Sequence, residues 1–219
     1  TKYECDFISQ YCAFSGHERI LALACGHGRH SIEFAQRGFG VHGVDINEAF
    51  IHQARNEAAQ KGLSIRFELD DLLRLEAQSS FDAVLLLFNS LGFFNREDSQ
   101  RIFNIISAAL TLGGRAFIDC KNREHICKEI KPYSVTEKGN DLMIDRLSFD
   151  PITGTTTNNR IYIKDGQRYE APFTMYSYNY HDLACFAAAA GLKIIKTFGG
   201  WKGQPLDGDS RRIIIVLEK

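Results

Sequence analysis

The sequence predicts an α/β fold of the Rossmann type, built around one open and mostly parallel sheet. Short apolar segments alternate with segments of helical period along most of the chain, as expected for strands linked by helices. The apolar residues 20–24 lead into Gly26-His27-Gly28, a helical segment from Arg29, and a second apolar segment that ends at Asp45. A strand, a glycine turn, a helix and a strand ending in a carboxylate form the nucleotide-binding half of such a fold.

The remaining elements follow from the same patterns. Residues 81–88, FDAVLLLF, are almost wholly apolar and predict a central strand covered on both faces. Asn47 is a good N-cap for the next helix, and Gly38, Gly62 and Gly191 mark the ends of helices. Further strands are predicted at 41–44, 64–69, 115–120, 192–198 and 211–217, and helices at 4–14, 47–61, 96–110 and 180–190.

Residues 133–173 interrupt this alternation with strand-like segments alone. Turn signals separate them at Gly139-Asn140, at residues 151–154 and at Asp165-Gly166. We interpret the stretch at about 130–175 as an inserted antiparallel meander of three or four strands. The insertion is too short for a second domain, so residues 1–219 are predicted to form a single domain.

Composition excludes several classes of function. The net charge of −1 with interspersed signs disfavours nucleic-acid partners, and no apolar run approaches a membrane span. The six cysteines include no C-x-x-C pair, which favours reduced thiols and a cytoplasmic location. The chain begins at Thr1 without a signal-peptide pattern, so we expect a processed form lacking residues N-terminal to it.

Four strand ends are predicted to meet at one edge of the sheet, where ligands of open α/β folds bind. They are residues 24–28, Asp45, Asp70-Asp71 and residues 88–90. The dinucleotide pattern G-x-G-x-x-G is incomplete, because its third glycine would fall at Ser31. His27 and His30 have a spacing that could ligate a metal, but no further ligand is near in sequence, so no metal site is predicted.

These strand ends resemble the successive motifs of class I S-adenosylmethionine (SAM) methyltransferases of the small-molecule type. The matching stretches are ILALACGHGRHSIEFAQRGFGVHGVDIN, FELDDLL, FDAVLLLFNSLGFF, LTLGGRAFID and AGLKIIKTFGGWKGQPLDGDSRRIIIV. The resemblance covers roughly residues 4–219 and implies a seven-stranded Rossmann-like sheet with helices on both faces. Its seventh strand would insert antiparallel between the fifth and sixth. Ala22 and Ala24 depart from the family pattern, which often has an acidic residue and a glycine there.

The resemblance also implies a SAM site. Asp45 would bind the ribose, Asp71 the adenine amino group with Leu72 packed on the ring, and Phe88 and Asn89 would flank the sulfonium. The residues expected to bind the cofactor are Ala24, Cys25, Gly26, Gly28, His30, Asp45, Ile46, Asp71, Leu72, Phe88 and Asn89. Several simpler roles stay open. Asp45, Asn89 and Ser90 could cap helices, Asp70 could replace Asp71, and His30 and Cys25 could simply pack.

The predicted reaction is in-line transfer of the methyl group of SAM to a nitrogen or oxygen of a small-molecule acceptor. A base is needed only if the acceptor must lose a proton, and His181, Tyr176 and His125 are weak candidates. Neither an N-P-P-Y motif nor a Pro-Cys pair is present, which disfavours nucleobase methylation. The inserted meander could form a wall of the acceptor pocket or mediate homo-oligomerisation. The alternatives are a catalytically silent SAM-binding protein and a nicotinamide-dependent oxidoreductase.

Overall fold

Two sheets make up the β-structure of the protein, whose computed structural model describes residues 1–76 and 79–219. A seven-stranded sheet has the order β10-β11-β5-β4-β1-β2-β3, and a four-stranded sheet has the order β6-β7-β8-β9. The strands are β1 (Arg19–Leu23), β2 (Gly40–Asp45), β3 (Arg66–Leu69), β4 (Phe81–Leu86), β5 (Leu110–Lys121), β6 (Tyr133–Lys138), β7 (Asp141–Asp150), β8 (Thr155–Lys164), β9 (Gln167–Tyr176), β10 (Lys193–Phe198) and β11 (Arg212–Glu218).

The seven-stranded sheet confirms the predicted fold class. Strand β4 lies between β1 and β5, parallel to both, and its apolar residues 83–86 are buried because helices cover both faces. Strand β11 inserts between β5 and β10 and runs antiparallel to both. Its run of branched residues 213–217 is buried throughout, as expected for an inner strand.

Six α-helices and two short 3₁₀ turns complete the described chain. The helices are α1 (Lys2–Cys12), α2 (Arg29–Gln36), α3 (Glu48–Gln60), α4 (Arg96–Ala109), α5 (Arg123–Glu129) and α6 (Tyr180–Ala189), and the 3₁₀ turns are Leu72–Arg74 and Ser90–Phe93. Buried residues of α4 and α6 pack on one face of the large sheet, while α1 and Phe34 of α2 pack on the other. Asn47 caps α3 as predicted, accepting a hydrogen bond from the Phe50 N–H at 3.1 Å.

The inserted antiparallel meander is confirmed as the four strands β6–β9, joined in sequence order. Its last strand reaches the large sheet beside the 3₁₀ turn Ser90–Phe93. There the Asn89 side-chain amide contacts the Met175 sulfur at 3.7 Å, and an added Cβ at Gly92 would lie 3.1 Å from the Tyr176 carbonyl oxygen. The insertion therefore meets the large sheet at the carboxyl edge, where the predicted site lies.

Several predicted boundaries were wrong by two or more residues: β3 begins at Arg66 rather than at residue 64, β4 ends at Leu86 rather than at residue 88, and α1 begins at Lys2 rather than at residue 4. Strand β5 begins at Leu110 rather than at residue 115, because Leu110 pairs with Phe81 and the Gly113–Gly114 backbone bonds to the Lys219 backbone. Helix α1 ends at Cys12 rather than at residue 14, because Ala13 takes a left-handed conformation with φ 55°.

No helix in the described part of the chain has both the length and the apolar character needed to span a membrane. All six cysteines are free thiols in this structure. The expectation of a cytoplasmic location and the assignment of residues 1–219 to one domain stay predictions.

The packing of β2 gives a testable prediction about stability. An alanine Cβ at Gly43 would lie 2.7 Å from Phe67 Cδ1 and 3.0 Å from Cys25 Sγ. We expect Gly43→Ala to lower the free energy of unfolding by about 1–3 kcal/mol, because the packed ring must move. Gly40→Ala on the same strand is the matched control, since its Cβ would meet only Arg19 Cγ at 3.8 Å. Urea denaturation of both variants measures the difference, and equal effects would contradict this packing.

Candidate cofactor site

The turn after β1 is built from residues with positive φ. Ala24 has φ 48°, Gly26 has φ 57° and Gly28 has φ 78°. A Cβ at Gly28 would lie 2.7 Å from Phe67 Cζ, so this glycine is required both for its backbone conformation and for space. Ala24 adopts the left-handed region despite its methyl group, at a strain of about 1–2 kcal/mol. The departure at Ala24 therefore preserves the turn.

Asp45, at the end of β2, holds this turn in place. Its Oδ2 accepts a hydrogen bond from the Gly26 N–H at 2.7 Å, and its Oδ1 accepts one from the Asn47 N–H at 2.9 Å. The residue is 8% exposed. A carboxylate offers about four lone-pair sites, so both oxygens retain capacity for a further donor. The structural role left open for Asp45 is thus observed, and it is compatible with a ligand contact.

The acids after β3 differ in their contacts. Asp71 Oδ1 accepts a hydrogen bond from the Leu73 N–H at 3.0 Å and caps the 3₁₀ turn, while Asp70 Oδ1 accepts from the Asp71 N–H at 2.8 Å. Leu72 is only 5% exposed and its side chain packs in the core. Little of this side chain is accessible, and its expected packing on a ligand ring stays a prediction. Ile46, 71% exposed, offers more apolar surface directly after Asp45.

Two consecutive non-glycine residues, Phe88 and Asn89, have positive φ in the turn that follows β4, at 58° and 65°. The Phe88 N–H donates to Asp119 Oδ2 at 3.1 Å, and the Asn89 N–H donates to the Asp119 carbonyl at 2.9 Å. Asn89 Oδ1 accepts from the Lys121 N–H at 2.8 Å. The Asn89 side chain therefore bonds to β5 and does not cap the following turn. Such strain persists only where the surroundings impose it, and it concentrates at functional sites.

An ion pair buried under this strained turn was not anticipated from the sequence. Asp119 of β5 is 1% exposed and bonds to Arg212 of β11, with Arg212 Nη2 at 2.6 Å from Asp119 Oδ2. Burial raises the pKa of Asp119, and the Arg212 guanidinium opposes that shift. The Arg212 guanidinium also lies 5.6 Å from the centre of the Phe88 ring. One ion pair thus links β5, β11 and the Phe88 turn.

The turns after β1 and β4 enclose a cleft of about 220 Å³. Five of the predicted cofactor residues, Ala24, Cys25, Gly26, His30 and Phe88, line it. The other lining residues are Ala22, Leu23, His27, Arg29, Ser31, Leu85, Leu87 and Ser90. Gly28, Asp45, Ile46, Asp71, Leu72 and Asn89 lie outside its walls. Burial raises the pKa of the Cys25 thiol to about 12, so this thiol stays protonated at neutral pH.

Arg29 supplies an unsatisfied donor to the cleft. Its Nη1 donates to Glu4 Oε2 of α1 at 2.6 Å, and its guanidinium lies 4.1 Å from the centre of the Phe88 ring. Its Nη2 is buried and has no hydrogen-bond partner within the described residues, and the same holds for Ser31 Oγ. A buried cationic donor without a partner is costly, so the cleft is suited to an anionic group such as a carboxylate.

His30 lies beside this cation. Its Nε2 is 3.0 Å from Glu4 Oε2, and its ring is 5.9 Å from the Phe88 ring. Burial, and secondly the charge of Arg29, lower the pKa of His30 to about 4 against the opposing effect of Glu4. Neutral imidazole therefore lines the cleft at pH 7. His27 is exposed at the wall of the cleft, and the centre of its ring lies 6.3 Å from that of Phe50. The described residues contain no cluster that could hold a metal ion.

The candidate bases do not converge on the cleft. His181 is exposed on α6, where its Nε2 lies 3.6 Å from Cys185 Sγ. His125 is on α5, and Tyr176 ends β9 beside Gly92. None of these three side chains lines the cleft walls. The Tyr176 backbone lies against the turn at Gly92, and the role of each of the three residues in the reaction stays a prediction.

Residues 20–114 match the family described as a methyltransferase domain. The ubiquinone biosynthesis O-methyltransferase of Coxiella burnetii is 29% identical over 117 residues, which are 53% of this chain and 49% of that protein. The chain therefore spans about half the length of this curated relative.

Solved structures match over nearly the whole chain. A S-adenosylmethionine-dependent methyltransferase from Clostridium acetobutylicum superposes with a TM-score of 0.88 at 18% identity, covering 99% of this chain and 91% of that one. The sugar N-methyltransferase KedS8 from Streptoalloteichus sp. gives 0.77 at 18% identity, covering 99% and 87%. The similarity shows a shared fold, which includes the inserted sheet because almost all of the chain is matched.

The environment of His30 predicts a pH effect. Its folded-state pKa of about 4 lies below the ordinary value of 6.5, so between these values the unfolded state binds a proton that the folded state does not. The free energy of unfolding should therefore fall on acidification from pH 6.5 to pH 4, by up to about 3 kcal/mol from this group.

NMR titration of the His30 ring measures this pKa directly, with His30→Gln to assign the resonance. A midpoint near pH 4 is expected. A midpoint above pH 6 would contradict the buried, neutral state of this ring.

Proposed function

We propose that this protein is a SAM-dependent methyltransferase. The class I methyltransferase fold of the chain and the match of residues 20–114 to a methyltransferase domain support the proposal. The observation that carries the proposal is the cleft between two strained turns at the carboxyl edge of the parallel strands. Ligands of open α/β sheets bind at that edge, where the strand order reverses. Here the reversal lies between β1 and β4.

The residues present fit SAM. The buried and unpartnered Arg29 Nη2 would bind the carboxylate of the methionine part, beside the glycine turn. The cleft of about 220 Å³ is smaller than most ligand pockets, so we place the adenosine part outside it. There Asp45 would accept from the ribose hydroxyls, Ile46 would pack on the adenine, and Asp71 would accept from its amino group.

Bound SAM supplies an electrophilic methyl group on a positively charged sulfur. The chain contributes mainly position, because an acceptor held in line at near-attack distance needs little further activation. The rigid Phe88–Asn89 turn, fixed to β5 by three hydrogen bonds, would set the acceptor against the sulfur. The Phe88 ring, 52% exposed, would exclude water from that point.

A small molecule is the acceptor that the chain fits best. The net charge of −1 gives no general attraction to nucleic acid. The relative from Coxiella burnetii is named for O-methylation and KedS8 for sugar N-methylation, and we propose a nitrogen or oxygen acceptor here by analogy. Self-association through the inserted sheet stays a prediction.

Calorimetric titration tests the cofactor first. S-adenosylhomocysteine (SAH) should bind with a dissociation constant in the micromolar range or tighter, and NADH should not compete. No binding of SAH at millimolar concentration would overturn the proposal, while competitive NADH binding would favour an oxidoreductase. SAH binding without methyl transfer to any acceptor in a panel would favour a catalytically silent SAM-binding protein.

The two acids after β3 allow the adenine contact to be tested, with Asp71 as the proposed ligand and its neighbour Asp70 as the control. We expect Asp71→Ala to weaken SAH binding by about 1.5–3 kcal/mol, or about 10- to 150-fold, because a charged acceptor is lost. Asp70→Ala should change the affinity less than about threefold, or ~0.7 kcal/mol. Circular dichroism checks that both variants remain folded. A larger effect at Asp70 would assign the adenine contact to that residue.

A further inference from the structure

We propose that the methyl acceptor carries a carboxylate, and that Lys121 binds it between Arg160 and Arg212, where the end of β5 meets the inserted sheet. The inference rests on the proposed function, because it places the acceptor beside the Phe88–Asn89 turn. It adds a substrate class and a binding residue that neither the fold nor the comparisons supply.

Lys121 is placed by the same contacts that form the strained turn. It is the last residue of β5, and its backbone N–H donates to Asn89 Oδ1 at 2.8 Å. In the β5–β11 register its partner is Arg212, and directly paired residues project to the same face of a sheet. The side chains of Lys121 and Arg212 therefore lie on the same face of the sheet, and the Arg212 guanidinium is 5.6 Å from the centre of the Phe88 ring.

The inserted sheet presents a third cation to this place. Arg160 of β8 donates through Nε to Asp145 Oδ1 at 2.6 Å, and its guanidinium lies 5.1 Å from the centre of the Phe173 ring. Asn158, opposite Phe173 in the register, also donates to Asp145 Oδ1, at 2.6 Å. Side chains of one strand that are two residues apart share a face, so Asp145, Asn158, Arg160, Phe173 and Met175 share one face.

Contacts with the large sheet show which way that face is turned. Met175 contacts the Asn89 side chain at 3.7 Å. The charges of Arg160 and Asp145 act on Lys121, and the charge of Lys121 acts on Asp145. The face that carries Arg160 is therefore the one opposed to the carboxyl edge of the large sheet.

Three of the four cationic side chains around the turn are paired with carboxylates, and the fourth, Lys121, is not. Arg29 is paired with Glu4, Arg212 with Asp119 and Arg160 with Asp145. The Lys121 ammonium has no ion pair or hydrogen bond with any described residue. Desolvation by the surrounding protein, and then the charges of Arg212 and Arg160, lower the pKa of Lys121 despite the opposing effect of Asp145. Lys121 is exposed at the end of β5, so its unpaired ammonium group is accessible to an anionic group of a bound molecule.

A carboxylate is a monoanion, and it can form a charge-assisted hydrogen bond with the single unpaired ammonium group. A phosphate would bring a charge of about −1.5 to −2 at pH 7, more than one ammonium group balances. A protonated amine would be repelled by the Lys121 ammonium group. The Phe173 ring beside Arg160 offers an apolar surface for the body of such an acceptor.

The experiment uses the protein saturated with SAH, after SAH affinity has been measured on its own. Benzoate and its neutral counterpart benzamide are the probes, titrated against the backbone amide signals of Asn89 and Lys121 by NMR. Benzoate should bind in the millimolar range and at least 10-fold more tightly than benzamide. Lys121→Met should weaken benzoate binding at least 10-fold and leave SAH affinity within about twofold, or ~0.4 kcal/mol.

Lys164→Met is the matched control, because it removes one lysine charge at the end of β8 in the inserted sheet. This variant should change neither the benzoate affinity nor the SAH affinity. Equal binding of benzoate and benzamide, or benzoate binding unchanged by Lys121→Met, would overturn the inference. Failure of SAH itself to bind would instead overturn the proposed function, so the two failures are distinguishable.

Discussion

The buried ion pair between Asp119 and Arg212 is the interaction on which the rest of the site depends. It joins the middle of the sheet to the last strand, and the same carboxylate accepts the Phe88 N–H that fixes the turn after β4. Removing one partner of a buried pair is strongly destabilising, by about 3–5 kcal/mol, because the other charge is left without compensation. The geometry of the cleft is therefore coupled to complete formation of β11, at the far end of the chain.

Backbone strain is concentrated at the same edge. Ala24, Phe88 and Asn89 all have left-handed backbone conformations without being glycines, and each follows a buried parallel strand. The strands, the Asp45 carboxylate and the Asp119 carboxylate impose these conformations through direct hydrogen bonds to the turns. The result is a pair of rigid turns facing one another across the cleft. Such rigidity suits a reaction that depends on alignment rather than on a strong base.

Local sequence patterns predicted most of the fold, because apolar runs and glycine stops report directly on strands and helix ends. The central strand 81–88 and the antiparallel meander at 130–175 were both recognisable in this way. The boundary of β5 was missed because it depends on pairing with Phe81 and with the C-terminal Lys219, neither of which is near in sequence.

The position of the site at the strand ends was predictable from the sequence, whereas its ion pairs and buried charges were not. Asp45 and the glycine turn stand in contact as expected from their order. Arg29, Asp119 and Arg212 were missed because their partners are distant in sequence; Asp119 and Arg212 are separated by 93 positions. The one signal available was a polar residue inside an apolar strand, as Asp119 is in β5. The burial of Leu72 was not predicted from the sequence, because it depends on packing with residues of other elements.

A crystal structure of the protein with SAH is the sharpest test of this site. We expect the SAH carboxylate on Arg29 Nη2, the ribose against Asp45, and the sulfur facing the Phe88–Asn89 turn. SAH bound elsewhere, or bound in the reverse direction with its ribose beside Arg29, would contradict this expectation.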